Sequence, residues 1–193
     1  MKKINKLIGC FLSIFFIHAC SPASILATGG GSAMVIAEGE RSMGSVIDDA
    51  TIKVNISAKF ISSEDNLFID VGTNVLNGRV LLTGLVDNQE IRIDAVRRVW
   101  EVDGVQEVIN EIQIGNRASL KEYANDIWIN TQVKGLAAKA VGLRVVGYNF
   151  ETIQGKVYIA GITSRPEQLE DLIEAIKTIK GVKEIVNYVI VKN

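Results

Sequence analysis

The residues best able to do chemistry stand close together near the N-terminus of the chain. The stretch FFIHACSPAS, residues 15–24, contains the only histidine, His18, and one of the two cysteines, Cys20; the other is Cys10. Imidazole and thiolate groups are the usual ligands of Zn²⁺ and frequent catalytic bases and nucleophiles. Whether the mature protein keeps them therefore decides which chemistry is open to it.

The first nineteen residues have the pattern of an export signal. A lysine-rich start precedes an apolar run over residues 7–17, which is shorter than the roughly 20 residues of a membrane-spanning helix. Residues 17–20, Ile-His-Ala-Cys, resemble a bacterial lipobox, in which cleavage precedes Cys20 and its thiol receives a diacylglycerol. His18 departs from the small residue usual at its position. The alternative is an ordinary secretory signal cleaved nearby, which leaves Cys20 a free thiol.

Under the lipobox interpretation the mature protein has no histidine and no free thiol. Metal sites built on histidine or cysteine, Ser-His-Asp triads, thiol nucleophiles and disulfides are then excluded. We predict a protein that is not an enzyme and holds no metal or cofactor. Ser21 follows the cysteine. Lipoproteins generally need an aspartate at that position to stay at the inner membrane, so the serine favours the periplasmic face of the outer membrane.

The charge and the composition fit an anchored envelope protein better than a nucleic-acid binder. Without the three lysines of the signal, 18 of the 21 basic residues remain against 22 acidic ones, and the formal net charge becomes −4. This charge opposes a general attraction to nucleic acid. Residues 20–45 include the run Gly29-Gly30-Gly31-Ser32 and lack a sustained apolar period, which predicts a lipidated flexible tether.

The rest of the chain is a duplication. A shift of 77 residues aligns NGRVLLTG at 77–84 with QGKVYIAG at 154–161, and VDGVQEVIN at 102–110 with IKGVKEIVN at 179–187, without a gap. Nine identities fall in this one register, which coincidence explains poorly. In the first copy these identical residues are Gly78, Val80, Gly84, Glu90, Asp94, Gly104, Val105, Glu107 and Asn110.

Each copy has the pattern helix, strand, strand, helix, strand. A tight hairpin turn is predicted at Asn77-Gly78 and at Gln154-Gly155, because glycine tolerates the positive φ of such a turn. The first helix of copy two is predicted to begin near Asn125-Asp126, with the aspartate as a helix cap. Its apolar stripe is predicted to be buried and comprises Ile129, Val133, Leu136 and Ala140.

Several stretches together resemble a known family. Each copy has a glycine after its second strand, a polar-capped helix and a G-V-x-x-[VI]-x-N exit, and ERSMGSVIDD, NEIQIG and ANDIWINTQVK also match. With the lipobox, these features resemble the dual BON-domain outer-membrane lipoproteins, the DolP-like family. The resemblance implies an α+β fold of two tandem BON domains, at 46–115 and 123–192. Each domain is expected to be αββαβ, with two helices packed on a small three-stranded mixed sheet.

The resemblance also implies a function. Members bind anionic phospholipid, chiefly phosphatidylglycerol, through the first helix of the second BON domain, support outer-membrane integrity and are enriched at division sites. The alternative is an envelope scaffold that binds a protein partner, such as the outer-membrane assembly machinery, with incidental lipid contact.

The helix named by the resemblance carries suitable residues beside its apolar stripe. At 100° per residue, one shoulder of the stripe holds Trp128, Gln132, Gly135 and Lys139. Indole is stable at the headgroup level and an ammonium can meet a phosphate, so we predict phospholipid binding there. The alternative is that Trp128 packs against the other domain or at the margin of its own core. Trp100, which shares a helix face with Ile93 and Val96, is predicted to be buried.

Overall fold

The structure is a computed structural model that describes residues 43–115, 120–141 and 147–192. The first repeat comprises helix α1 (Met43–Ile61), short helix α2 (Leu67–Asp70), strands β1 (Val71–Leu76) and β2 (Arg79–Val86), helix α3 (Gln89–Trp100) and strand β3 (Glu107–Ile114). The second comprises helix α4 (Leu120–Val141), strands β4 (Tyr148–Ile153) and β5 (Lys156–Thr163), helix α5 (Pro166–Lys177) and strand β6 (Glu184–Val191). Each strand of the second repeat begins 77 residues after its counterpart, as the sequence register predicts.

The predicted signal and most of the predicted tether precede the first helix. The signal at 1–19 and the tether up to residue 42 lie outside the described residues. Helix α1 begins at Met43, so residues 43–45 belong to this helix and not to the predicted tether of 20–45. The short helix α2 was not predicted from the sequence; it ends the link from α1 to β1 and buries Leu67 completely.

Each repeat forms a three-stranded mixed sheet, which confirms the predicted α+β fold. In the first sheet β2 pairs antiparallel with β1 and parallel with β3, and the second sheet repeats this order. Two helices cover one face of each sheet, because only that face and the helix stripes are apolar enough to form a core. The first core is centred on Ile56, Val80, Leu82 and Val99, and the second on Ile129, Val133, Ile159 and Leu172.

The hairpin turns have the predicted backbone conformation. Asn77 and Gly78 have φ values of 51° and 74°, and Gln154 and Gly155 have 52° and 81°. Two successive positive φ angles match the right-handed twist of the flanking strands. Close packing adds a second reason for glycine, because a Cβ on Gly155 would lie 2.7 Å from the backbone oxygen of Gly181.

An aspartate on the first helix of each repeat holds the turn. The Asp49 carboxylate accepts hydrogen bonds from the backbone N–H groups of Asn77 and Gly78, at 2.8 and 2.9 Å. Asp126 accepts the same pair of bonds in the second repeat, at 2.7 and 2.8 Å. The prediction that Asp126 caps a helix start was therefore wrong. Both aspartates lie in the second turn of helices that begin six residues earlier, and their carboxylates satisfy the turn instead.

The two sheets pack against each other through the faces that the helices leave open. Leu81 and Thr83 alternate with the core residues of β2, yet both are buried, and so are Tyr158 and Ile162 of β5. The Thr83 hydroxyl donates to the Glu151 carboxylate of the other repeat at 2.6 Å. The layers therefore run helix, sheet, sheet, helix, and they place α1 and α4 on opposite outer faces.

Glu111 lies at the centre of this interface. Its carboxylate accepts a hydrogen bond from the Tyr188 hydroxyl and lies 3.5 Å from the Lys156 ammonium. Glu111 and Tyr188 are 77 residues apart, so equivalent positions of the two repeats contact each other. Lys156 also lies over the Tyr158 ring, 5.4 Å from its centroid. Charge-assisted bonds in a partly buried site such as this one fix the register of the two sheets.

We expect Asp49→Ala to lower the free energy of unfolding by about 3 kcal/mol, because two hydrogen bonds to a buried charged acceptor are lost together. Chemical denaturation measures this change. The exposed neighbour Asp48 provides the control, since Asp48→Ala is expected to change stability by less than about 0.5 kcal/mol. Equal effects of the two substitutions would contradict the role assigned to Asp49.

Tyr188 should ionise late in alkali. Burial, and then the hydrogen bond to Glu111, raise its pKa to about 12, above the value near 10 of an unfolded chain. Its contribution to stability is complete below pH of about 10 and is lost as the pH rises through the folded value. The difference in phenolate absorbance between the wild type and Tyr188→Phe reports this pKa. Glu111→Gln should lower it, and an unchanged midpoint would contradict the assigned contact.

Candidate lipid-contact surface

Helix α4 buries one stripe and exposes the rest of its surface. Ile129, Val133 and Ala137 are completely buried, whereas Leu136 is half-buried and Ala140 is exposed. The predicted stripe was therefore right at Ile129 and Val133 and wrong at Ala140. The buried positions follow i, i+4, i+8, and they match Ile52, Ile56 and Phe60 of the first repeat. The small side chain of Ala137 takes the place of Phe60.

The four residues predicted to bind phospholipid all lie on the exposed part of α4. Trp128 retains 47% of its accessible surface, and Gln132, Gly135 and Lys139 are exposed. Trp128 is therefore not fully buried against the other domain, and the alternative that it packs at the margin of its own core stays open, since about half of its surface is covered. A Cβ added to Gly135 would meet nothing within 4 Å, so the helix surface next to Trp128 is open. The structure brings the four residues onto one face, and lipid binding by that face stays a prediction.

Three further residues lie on the exposed half of the helix: Lys121 on the line of Trp128, and Ile127 and Tyr123 about 100° and 140° around the helix from it. Tyr123 and Ile127 retain 62% and 50% of their accessible surface, and Lys121 is exposed seven residues before Trp128, on the same line along the helix. The sequence prediction missed Lys121 and Tyr123, because it started the helix near Asn125. A search for helix-forming residues upstream of Asn125 would have found them, since Leu-Lys-Glu-Tyr-Ala contains no helix breaker.

The exposed face of α4 is cationic as well as aromatic. Lys121 and Lys139 lie on the side of Trp128, and Lys134 lies beyond Ile127 on the other side, by the 100° rotation per residue. Across residues 43–115, 120–141 and 147–192, the ion pairs involve none of these three lysines. Their ammonium groups are therefore available to an external anion. We define the α4 face as Lys121, Tyr123, Ile127, Trp128, Gln132, Lys134, Gly135 and Lys139.

The equivalent helix of the first repeat lacks these features. At the positions of the four predicted residues, α1 has Thr51, Asn55, Ala58 and Ser62. Gly44 and Ser57 stand at the positions of Lys121 and Lys134, and Ala50 at that of Ile127. The two helices occupy the same place in the same fold, so the aromatic and cationic residues of α4 are not required by folding.

Other candidate groups are less suited to an external ligand. Trp100 retains 52% of its accessible surface, so the prediction of its burial was wrong. Helix α3 packs with the neighbouring stripe of Ala95 and Val99, which turns Ile93 and Trp100 outward. Arg97 pairs with Asp94 and Glu101, and Arg98 pairs with Asp94. Partial burial acts to raise the pKa of Asp94, but its bonds to Arg98 and Arg97 together outweigh burial and lower that pKa. The ion pairs also occupy both guanidinium groups.

The described residues were compared with the requirements of a membrane-spanning helix and of a metal site. No helix among the described residues is long and apolar enough to cross a bilayer. Within the same part of the chain, no cluster of three His, Cys, Asp or Glu side chains could hold a metal ion. Cys20, the predicted lipidation site, lies outside the described residues.

Comparison with known proteins identifies both repeats. Residues 48–116 and 125–193 match the BON domain. The chain is 36% identical over 148 residues to the "Uncharacterized protein in gshII 5'region" of Anaplasma centrale, covering 76% of this chain and 97% of that protein. It is 28% identical over 193 residues to "Outer membrane lipoprotein DolP" of Haemophilus influenzae, covering 96% of this chain and 94% of that protein. A third relative, 27% identical over 154 residues, is the "21 kDa hemolysin" of Actinobacillus pleuropneumoniae, with 77% of this chain and 78% of that protein covered. Both the repeat geometry and these matches show that the chain belongs to the BON domain family, as a tandem of two BON domains similar to DolP.

Proposed function

We propose that this protein is a lipid-anchored, non-enzymatic protein of the periplasmic face of the outer membrane, where it binds anionic phospholipid through the α4 face and supports membrane integrity. The observation that carries the proposal is the exposed Trp128 on a helix face with three lysines that form no ion pair among the described residues. The equivalent helix of the same fold has no tryptophan and one such lysine, Lys53. The name of the Haemophilus relative, an outer membrane lipoprotein, supports the location, and the lipobox pattern ending at Cys20 supports the anchor.

The residue types on the α4 face suit the headgroup region of a bilayer. Tryptophan and tyrosine are stable there because each has an apolar ring and a polar group that stays hydrated. Lysine extends an apolar stem along the surface and places its ammonium near phosphate oxygens. Helix α4 carries both residue types on the outer face of the molecule, away from the sheet interface, so a planar surface can approach it.

The expected affinity of this face alone is low. Inserting the exposed half of Trp128 removes about 100 Å² of apolar surface from water, which is worth about 2.5 kcal/mol. Each lysine near an anionic membrane adds about 1 kcal/mol. The sum of about 5.5 kcal/mol corresponds to a dissociation constant of about 0.1 mM. The acyl chains on Cys20 are therefore the main attachment, and the α4 face is a second, selective one that benefits from the high local concentration of lipid.

The negative net charge of the protein restricts its contact with an acidic bilayer to a positively charged part of its surface. A net charge of −4 for the mature chain opposes general adhesion to an acidic bilayer. Only a face with local positive charge can approach such a surface, and the three lysines supply it. Membrane regions rich in anionic lipid are then expected to retain the protein longest, and we propose that such retention underlies the enrichment at division sites that the resemblance implies.

Trp128→Glu should weaken binding to phosphatidylglycerol vesicles by about tenfold or more, because it replaces an apolar contact with a negative charge. Flotation of the mature chain with Cys20→Ser, which removes the acyl group, isolates the contribution of the helix. The duplication supplies the matched control: Thr51→Glu changes the equivalent, exposed position of α1 and should leave flotation unchanged.

Two results would contradict this prediction. Equal flotation of wild type and Trp128→Glu would remove the α4 face from lipid binding. Absence of flotation for the wild type with both anionic and zwitterionic vesicles would leave the acyl chains as the only membrane contact. The competing function, a scaffold for an envelope protein, would then be favoured if crosslinks from position 128 trapped one protein partner instead of lipid.

Neutralising the lysines should reduce binding without affecting the fold. Lys121→Gln combined with Lys139→Gln is expected to lower vesicle binding by about thirtyfold at low salt, and by less at high salt, because salt screens exposed charges. Vesicle sedimentation at two salt concentrations measures the effect. Lys53→Gln, an exposed lysine of α1, is the control. A double variant that bound as tightly as the control would show that the lysines do not contact lipid.

A further inference from the structure

Helix α1 exposes a straight stripe of aliphatic side chains. Ile47, Val54 and Ile61 retain 56%, 66% and 63% of their accessible surface. They are seven residues apart, so they fall on nearly one line along the helix, with a drift of only about 20° per step. Their side chains lie opposite the buried stripe of Ile52 and Ile56. The domain core therefore does not use them.

The second repeat shows that the fold does not require this stripe. Its residues at the equivalent positions of α4 are Ala124, Thr131 and Ala138. The same helix in the same domain thus carries three large aliphatic residues in one copy and only small ones in the other. A property of the first repeat other than folding accounts for the difference.

The flanks of the stripe argue against an acidic lipid or a charged protein as its partner. Thr51, Ser57 and Ser62 border the three aliphatic residues, and none of them is charged. Lys53 and Asn55 lie farther out, each about 100° around the helix from Val54. Lys59 pairs with Glu101 at 2.9 Å. A partner with a similarly uncharged apolar stripe fits best.

The stripe has a symmetry that selects such a partner. Ile47 and Ile61 lie seven residues on either side of Val54, and Ala50 and Ala58 lie four residues on either side. The same holds for the hydroxyl-bearing Thr51 and Ser57, three residues on either side. Read backwards from Val54, these seven positions therefore have the same order of large, small and hydroxyl side chains, whereas Lys53 and Asn55 on either side of Val54 differ. An antiparallel copy of this helix places the aliphatic, alanine and hydroxyl-bearing residues against their like.

We propose that α1 pairs with α1 of a second copy of this chain, antiparallel and around a twofold axis at Val54. Val54 then meets Val54 of the other copy, and Ile47 meets Ile61. A twofold contact requires a self-complementary surface of this kind, and a seven-residue repeat is the spacing of paired helices. The alanines let the two backbones approach closely.

The size of the surface sets the strength of the pairing. Three aliphatic residues and two alanines make a patch well below the roughly 800 Å² per partner of a stable complex. Pairing is therefore weak for a protein diluted in solution and gains when copies are confined to one membrane, where their effective concentration is high. Because α1 and α4 lie on opposite outer faces, a pair formed through α1 keeps both α4 faces exposed.

Single cysteines in the full-length, membrane-bound protein test the register. Val54→Cys should form a disulfide-linked dimer under mild oxidation, because the proposed pairing places the two Cβ atoms next to each other at the twofold axis. A disulfide requires Cβ atoms about 3.5–4.5 Å apart. Ile47→Cys and Ile61→Cys alone should give roughly tenfold less dimer, since each lies about 10 Å along the helix from the axis. Co-expressed Ile47→Cys and Ile61→Cys chains should crosslink to each other.

Controls distinguish pairing from chance collision. Thr131→Cys places the same group at the equivalent point of α4, and the wild-type chain reports any crosslinking by Cys20. Dimer from Val54→Cys no greater than from Thr131→Cys would overturn the proposal. Equal dimer from all three single cysteines would also overturn it, in favour of a parallel arrangement. Val54→Asp, at a position that is mostly exposed, should abolish crosslinking between the Ile47→Cys and Ile61→Cys chains while circular dichroism stays unchanged.

Discussion

An aspartate on the first helix of each repeat, hydrogen-bonded to two backbone N–H groups of a hairpin turn, sets the geometry of everything around it. Asp49 and Asp126 can reach the turn only if the helix is rotated so that the carboxylate faces it. That rotation fixes the direction of every other side chain on the helix. Trp128 follows Asp126 by two residues, which is 200° around the helix. The bond that closes the fold thus also directs Trp128 to the outer surface.

The duplication separates what the fold needs from what each repeat adds. Buried positions of the first helix keep an apolar residue in both copies, and the turn keeps its aspartate and glycine. The exposed positions diverge: α4 carries tryptophan, tyrosine and lysine, whereas α1 carries isoleucine and valine in an uncharged surround. Two outer helices with different surfaces, held on opposite sides of the packed pair of sheets, allow one molecule to make two different contacts at once.

Much of this fold could be predicted from the sequence, because glycine and the repeat leave few alternatives. The turns at Gly78 and Gly155 require positive φ, and the gapless register transfers each element from one copy to the other. The rotation of α4 was less certain from the sequence, because Ala137 and Ala140 are equally apolar and only packing decides between them. Trp100 was misplaced for the same reason, since α3 has two apolar stripes and the one with the small Ala95 fits the sheet.

The contact between the sheets could not be read from the sequence at all. Alternation along β2 and β5 shows which residues face away from the local core, but Leu81 and Tyr158 at such positions are equally compatible with solvent and with a second sheet. The direct bonds between repeats, such as Thr83 to Glu151, depend on the three-dimensional arrangement. Asp126 was misread because a polar residue near a helix start has several possible partners.

The contact between the two sheets affects how a fragment with a single repeat would behave. A fragment ending between the repeats would uncover Leu81 and Thr83 on one half, or Tyr158 and Ile162 on the other, over a whole sheet face. Such an exposed apolar face binds non-specifically to other apolar surfaces, including bilayers and unpaired strands. Adhesion measured on a single repeat would then report a surface that the intact molecule never presents, and only the uncut chain reports the natural behaviour of its outer helices.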